Sequence, residues 1–201
     1  MSPTPPPVDP TAYFPPPDPR HWAARLLRAF GWTLELAPVP ATHVMVAVYP
    51  HTSNWDFPLG LLTRFACRWP IHWVGKAAIF AGPWRGLLRR WGGIPVDRSA
   101  AEGFAEALAG EFARRDHLMV AIAPEGTRRH VDALKSGFYR IALAANAPIG
   151  LGYIDYGKRR IGIGGYFTPS GDTAADLEIM QRFYADKRGR YPAQAGNIRF
   201  R

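Results

Sequence analysis

The sequence predicts a single-domain α/β fold, in which a mixed, largely parallel sheet is flanked by helices. From Ala41 onward, short apolar runs alternate with longer segments of helical periodicity, the pattern of a three-layer α/β protein. The 201 residues are 47% hydrophobic and 20% charged, values typical of one globular domain with its own core. No internal repeat is present.

The predicted strands are short apolar runs, and the last two are expected to pair: 44–49, 71–74, 117–123, 149–154 and 160–163. Segments of helical periodicity predict helices between them: 21–30, 54–68, 83–91, 99–115, 137–145 and 172–188. The helix at 99–115 has the clearest signal, because Ser99 and Glu102 form a capping box. Its apolar stripe consists of Phe104, Leu108 and Phe112.

Three regions are predicted along the chain. Residues 1–20 contain nine of the 20 prolines and are predicted to be a disordered tail. Residues 21–40 are predicted to be a short basic amphipathic helix and linker, and residues 41–201 the catalytic domain. In the helix, the apolar residues can share one face flanked by arginines: Trp22, Leu26, Leu27 and Phe30 with Arg25 and Arg28. That face has two interpretations, packing on the core or contact with a membrane surface.

The net charge of +9 is compatible with three partners: nucleic acid, an anionic membrane or a phosphorylated substrate. No segment predicts a signal peptide or a transmembrane helix. Cys67 is the one cysteine, so an intramolecular disulfide is excluded. Neither a phosphate-binding loop, a serine nucleophile elbow nor a zinc motif occurs, so the sequence predicts no metal and no cofactor.

A histidine and an aspartate lie together after the first strand of the predicted domain. His51 follows the strand by one proline, and Asp56 comes five residues later, in the first turn of the next helix. A carboxylate beside an imidazole fixes its tautomer and raises its basicity, which makes a general base for an alcohol. The alternative is structural, because Ser53 and Asp56 have the spacing of a capping box.

Three further segments favour a function for this pair. Gly92 to Arg98 places an arginine after a short extended run, and Pro124 to Arg128 carries Glu125 and Arg128 out of an apolar strand. Ala147 to Gly150 opens another strand. In α/β folds, groups that follow the carboxyl ends of strands are well placed to contact ligands.

Taken in order, these four blocks resemble those of the glycerolipid acyltransferase family, whose best-known members acylate glycerol-3-phosphate or 1-acyl-glycerol-3-phosphate. The blocks are H-x-x-x-x-D at 51–56, a G-x-x-x-x-D-R type block at 92–98, E-G-T-R at 125–128 and a proline block at 147–149. The resemblance covers about residues 41–165 and implies a glycerol-3-phosphate acyltransferase-like fold. One departure is Pro50, where the family commonly has asparagine before the histidine.

The resemblance implies a role for each block. His51 would deprotonate the acceptor hydroxyl, Asp56 would orient His51, and the alkoxide would attack an acyl thioester directly. Arg98 and Arg128 would bind the acceptor phosphate. Glu125 would position acceptor hydroxyls or anchor the arginines. The remaining substrate-binding candidates are Gly126, Thr127, Lys76 and Lys135.

The expected enzyme is an O-acyltransferase of phospholipid biosynthesis that esterifies a lysophospholipid-like acceptor from acyl-CoA or acyl-carrier protein. The alternatives are a non-phosphorylated or specialised lipid acceptor and, from another class, a membrane-surface or nucleic-acid-binding module. We expect no nucleic-acid partner and a peripheral position on the cytoplasmic membrane face. A stripe within 83–91 is the candidate membrane contact, with packing on the core as its alternative: Trp84, Leu87, Leu88 and Trp91.

Overall fold

The structure is a computed structural model that describes residues 9–96 and 101–201, with the backbone alone described for residues 101–107. Within these residues, seven strands form one sheet in the order β1-β7-β6-β2-β5-β3-β4. The strands are β1 Thr33–Leu36, β2 His43–Val48, β3 Ile71–Lys76, β4 Gly93–Val96, β5 Leu118–Ile122, β6 Ile149–Asp155 and β7 Arg160–Phe167. The central strand is therefore β2.

Neighbouring strands are parallel except for β6 and β7, which form an antiparallel pair. This confirms the predicted pairing of the segments at 149–154 and 160–163. A short turn can join antiparallel strands, whereas parallel neighbours need longer crossovers. Because β5, β2 and β6 are mutually parallel, the chain leaves all three at the same edge of the sheet.

Helices cover both faces of the sheet, as predicted. Their bounds in the described chain are α1 Trp22–Ala29, α2 Asp56–Cys67, α3 Arg85–Arg90, α4 Ala101–Arg114, α5 Gly137–Ala144 and α6 Thr173–Tyr184. Alternate side chains of β2 point to opposite faces. Val44 and Val46 pack with Cys67 of α2, whereas Met45 and Ala47 share a cluster with residues of α4, α5 and α6. The prediction of a mixed, mostly parallel sheet between helical layers is confirmed.

Several elements differ from the prediction, among them β7, which ends at Phe167 instead of at residue 163. The prediction missed β1, a four-residue edge strand that pairs with β7 and packs its two leucines against the core clusters. The predicted helix at 172–188 ends earlier, at Tyr184, whose buried hydroxyl donates to the Ala47 and Gly152 carbonyls. The chain then turns, and the Arg188 carbonyl accepts a hydrogen bond from the N–H of Tyr156. The predicted capping box begins at Ser99, which lies outside the described residues.

Within the predicted tail, residues 9–20 include side chains that contact the domain, whereas residues 1–8 lie outside the described residues. Phe14 is buried against Trp69, whose indole N–H donates to the Pro15 carbonyl at 2.7 Å. The Tyr13 ring stacks on His117 with 4.1 Å between ring centroids. Proline lacks an N–H that would need a partner, so this segment can lie on the surface while its two aromatic rings bury apolar area. None of the helices in the described ranges has both the length and the apolar character required to cross a bilayer.

Candidate functional site

The His51 and Asp56 side chains lie together at the edge where the chain leaves β2. His51 follows the end of β2, and Asp56 is the first residue of α2. The His51 Nδ1 and Asp56 Oδ2 atoms are 3.1 Å apart. The Asp56 side chain is 1% exposed and the His51 side chain 18% exposed. When Nδ1 carries the proton that Asp56 accepts, Nε2 is the basic nitrogen of the imidazole.

Hydrogen bonds hold the Asp56 carboxylate in its ionised form. Besides His51, it accepts the Ser53 N–H at 2.9 Å and the Tyr156 hydroxyl at 2.7 Å. Burial acts to raise the pKa of Asp56, but the hydrogen bonds from His51, Tyr156 and Ser53 outweigh burial. The net pKa therefore lies below the usual 3.8. An ionised partner is what stabilises an imidazolium once His51 has taken a proton.

Asp56 also makes one of the two hydrogen bonds of the capping box that the sequence offered as its alternative role. The bond from the Ser53 N–H to Asp56 is one half of a capping box, but the Ser53 hydroxyl accepts from the Trp55 N–H instead of completing it. Asp56 also lies in the first turn of α2, where the helix dipole favours a negative charge. The same carboxylate thus stabilises the start of α2 and contacts His51.

Glu125 ties the histidine segment to the C-terminal segment. Its side chain is buried, with Oε2 accepting the His51 N–H at 2.6 Å and Oε1 accepting the Gly196 N–H at 2.9 Å. Burial raises the pKa of Glu125 above the usual 4.5, and these backbone bonds offset the rise only in part. In the described part of the chain, its oxygens meet backbone donors, whereas the sequence led us to expect arginines or acceptor hydroxyls.

The loop after β5 carries the rest of the E-G-T-R block. Gly126 has a φ of 69°, and a Cβ there would lie 3.2 Å from Cε of Lys135. Glycine is favoured by this left-handed conformation and by the close approach of the lysine. The Arg128 Nε donates to the Ser53 carbonyl at 3.2 Å, and the Thr127 hydroxyl accepts the Arg129 N–H at 3.3 Å. The loop is thus fixed to the segment between His51 and α2.

A cavity of about 700 Å³ opens between α2 and the sheet and includes His51 and Asp56 in its lining. Residues 126–128 line it from beyond the carboxyl end of β5. Most of the other lining residues are apolar side chains of α2 and the strands, among them Val46, Val48, Leu61, Ile71, Ala121 and Ile163. The cavity therefore combines a polar end, which contains His51 and Asp56, with apolar walls. Among the described residues, no group of three or more His, Cys, Asp or Glu could hold a metal ion.

One other predicted substrate contact, Lys76, lies on the β3–β4 side of the sheet. Lys76 is the last residue of β3, is exposed and lines the same cavity. It pairs in register with Val96, the last residue of β4. Arg98 lies outside the described residues.

The predicted membrane stripe divides between surface and interior. Trp84 is 68% exposed and Leu87 is 36% exposed. Leu88 lines the cavity, and the half-buried Trp91 lies 6.2 Å from the Phe65 ring between centroids. Half of the stripe is thus exposed, and the other half contacts the rest of the domain or lines the cavity.

The sequence analysis did not identify Tyr156 and Arg190 as neighbours of the His51–Asp56 site. Tyr156 directly follows β6, which runs parallel to β2 and so ends at the edge that holds His51. That position after a predicted strand was an available signal. Arg190 has its guanidinium carbon 5.8 Å from the Trp55 ring centre, and nothing local in the sequence indicates this contact.

Comparison with known proteins agrees with the fold. The chain is similar to the crystal structure of the 1-acyl-sn-glycerophosphate (LPA) acyltransferase PlsC from Thermotoga maritima, with a TM-score of 0.52 and 16% identity. The match covers 82% of this chain and 76% of PlsC. A search of curated protein sequences finds no significant match. The profile of the family described as Acyltransferase matches residues 34–150, more than half of the chain and the part that contains His51, Asp56 and Glu125. The chain therefore belongs to the Acyltransferase family.

Proposed function

We propose that this acyltransferase esterifies the hydroxyl of a lysophospholipid-like acceptor, with His51 as the general base and Asp56 as its orienting partner. The observation that carries the proposal is the pairing of His51 with a buried, ionised carboxylate in the lining of a largely apolar cavity. PlsC, whose fold is similar, is described as acting on 1-acyl-sn-glycerophosphate, which supports the choice of acceptor.

In the proposed reaction, Nε2 of His51 removes the proton from the acceptor hydroxyl while the oxygen attacks the thioester carbonyl carbon. A C–O bond forms, the C–S bond breaks, and the departing thiolate takes the proton from the imidazolium. The Asp56 carboxylate stabilises the imidazolium between these two transfers. No acyl-enzyme is required. The donor is acyl-CoA or acyl-carrier protein, and the apolar walls of the cavity accommodate the acyl chain.

Basic side chains provide the proposed contacts for the acceptor phosphate. Arg98 and Arg128 are the main candidates, and Lys76 and Lys135 are the secondary ones. Each charge-assisted bond of this kind contributes about 1.5–3 kcal/mol. Gly126 and Thr127 would lie against the same substrate, because they line the cavity with Arg128.

We also propose that the protein binds the surface of an anionic membrane, where its lipid acceptor resides. Trp84 and Leu87 are exposed beside three exposed arginines of α3: Arg85, Arg89 and Arg90. The outer side of α1 adds Trp22 and Phe30, 57% and 63% exposed, to the exposed apolar surface. Aromatic and basic residues together favour the interface of an anionic bilayer. The proposed location is the cytoplasmic face of the membrane, in phospholipid biosynthesis.

The proposed function is tested by supplying the purified chain with defined donors and acceptors. Lysophosphatidic acid and monoacylglycerol are each combined with oleoyl-CoA and oleoyl-acyl-carrier protein, and the ester products are measured by mass spectrometry. Transfer to lysophosphatidic acid well above transfer to monoacylglycerol is expected. Equal or greater transfer to monoacylglycerol would contradict a phosphorylated acceptor, and no ester from any pair would contradict the lipid substrate class.

A further inference from the structure

Both oxygens of the Asp56 carboxylate are held, but by different groups. Oδ2 lies 3.1 Å from His51 Nδ1 and accepts the Ser53 N–H, whereas Oδ1 accepts the Tyr156 hydroxyl at 2.7 Å. The carboxylate is almost completely shielded from water. Holding Oδ1 in this way restricts rotation of the carboxylate and keeps Oδ2 directed at the imidazole.

The position of Tyr156 is fixed by contacts away from His51. Its N–H donates to the Arg188 carbonyl at 2.8 Å, and its ring packs edge-on against Trp32 with 5.1 Å between centroids. The preceding residue, Asp155, accepts the N–H groups of Gly157 and Arg188 and so secures the turn after β6. The hydroxyl thus reaches Asp56 from a part of the fold that is anchored independently.

We propose that Tyr156 is a positioning residue for the His51–Asp56 pair, whose hydroxyl fixes the orientation of the Asp56 carboxylate and moderates its charge toward His51. This inference rests on the proposed function of His51 as the base. Tyr156 and Arg188 both lie beyond residues 34–150, the part matched by the family profile. Burial, together with the bond to Asp56, raises the pKa of Tyr156 well above its usual value of 10, so its hydroxyl remains a proton donor.

Removal of the Tyr156 hydroxyl is expected to change how strongly Asp56 attracts His51. Without the donor, Oδ1 loses its bond and the carboxylate attracts the His51 imidazolium more strongly, so the neutral, basic imidazole forms only at higher pH. The other charged groups around the pair remain in place. Glu125 faces it from the loop after β5, Arg128 from the same loop, and Arg190 from the C-terminal segment beside Tyr156. Lys76 faces the shared cavity from β3.

Tyr156→Phe tests the inference because it keeps the ring packed against Trp32 and removes one oxygen. The acid limb of the kcat/KM profile is expected to move to higher pH by about half to one unit. The maximal kcat is expected to fall about 10-fold, since the orientation of the base is disturbed. Tyr166→Phe is the matched control, because the buried Tyr166 hydroxyl has no hydrogen-bond partner in the described part of the chain. An acid limb that coincides with that of the unmodified protein overturns the inference.

Two parallel measurements separate this inference from the proposed function. If His51→Ala retains near-normal transfer, the proposed base is contradicted. Titration of the His51 imidazole by NMR in the substrate-free protein tests Tyr156 without reference to turnover. A higher titration midpoint in Tyr156→Phe supports the inference, and an unchanged midpoint contradicts it.

Discussion

Asp56 and Glu125 are both buried at the sheet edge and both contact His51, but their pKa values are shifted in opposite directions. Asp56 accepts from two side chains and a backbone N–H, and these bonds lower its pKa in spite of burial. Glu125 accepts from two backbone N–H groups, and burial still raises its pKa. The first arrangement favours a permanent negative charge beside the imidazole. The second fixes the backbone of His51, so the two carboxylates divide charge stabilisation and positioning between them.

This difference gives Asp56 a measurable pH signature. Because its folded pKa is below the unfolded value, ionised Asp56 stabilises the fold above about pH 4 and loses this contribution as the pH falls through the folded pKa. Asp56→Asn is therefore expected to lower the free energy of unfolding by about 1–3 kcal/mol at pH 7. The difference between the variant and the unmodified protein is expected to become smaller toward pH 3. Urea unfolding at several pH values measures it. Asp132→Asn is the control, because its side chain is 83% exposed, and it should change stability little. A loss of stability in Asp56→Asn that is the same at every pH would contradict the account.

At the scale of elements, the sequence predicted what depends on local pattern and missed what depends on tertiary contact. The apolar runs that became β2, β5 and β6 were long enough to predict, and their parallel arrangement brings His51 and Glu125 together. By contrast, β1 exists because β7 offers it a partner, and the end of α6 at Tyr184 is set by distant carbonyl groups. The position of Tyr156 after a predicted strand was a sequence signal, but its bond to Asp56 spans 100 residues and leaves no local pattern.

The cavity between α2 and the sheet is expected to limit the length of the acyl chain. Gly60 of α2 lines the cavity, and a Cβ there would meet no atom within 4 Å. Gly60→Phe is expected to narrow the cavity and shift preference toward shorter acyl donors by about 10-fold, because filling it displaces several methylene groups. Competition between C16 and C8 acyl donors measures the shift. Gly110→Phe, at another open helical position in α4 outside the cavity lining, should keep the original preference. An unchanged preference in Gly60→Phe would mean that the chain binds elsewhere.

For the whole molecule, the proposed membrane binding would account for both the net charge of +9 and the exposed aromatic residues. Composition alone left nucleic acid, membrane and phosphorylated substrates open. Membership of the Acyltransferase family favours a lipid interface over nucleic acid. In the proposed membrane binding, the exposed residues of α1 and α3 would supply apolar contact, and their arginines would attract anionic headgroups.

Vesicle binding tests this arrangement. Binding to phosphatidylglycerol-containing vesicles is expected to weaken about 10-fold in a Trp84→Ala/Leu87→Ala variant and also to weaken at high salt. Sedimentation with vesicles measures both effects. Leu143→Ala removes a comparably exposed apolar side chain from α5 and should bind normally. Binding that is insensitive to both salt and the double substitution would contradict the proposed surface.

The turnover of His51→Ala tests the central claim most directly. The substitution removes the proposed base while leaving the backbone N–H that bonds to Glu125, so the fold should persist in circular dichroism. Removal of a positioned base is expected to lower the rate of acyl transfer by at least roughly 10²–10⁴-fold. His21→Ala, at the start of α1, is the control, and its rate of acyl transfer should be unchanged. A folded His51→Ala protein that transfers acyl groups at a near-normal rate would contradict the account.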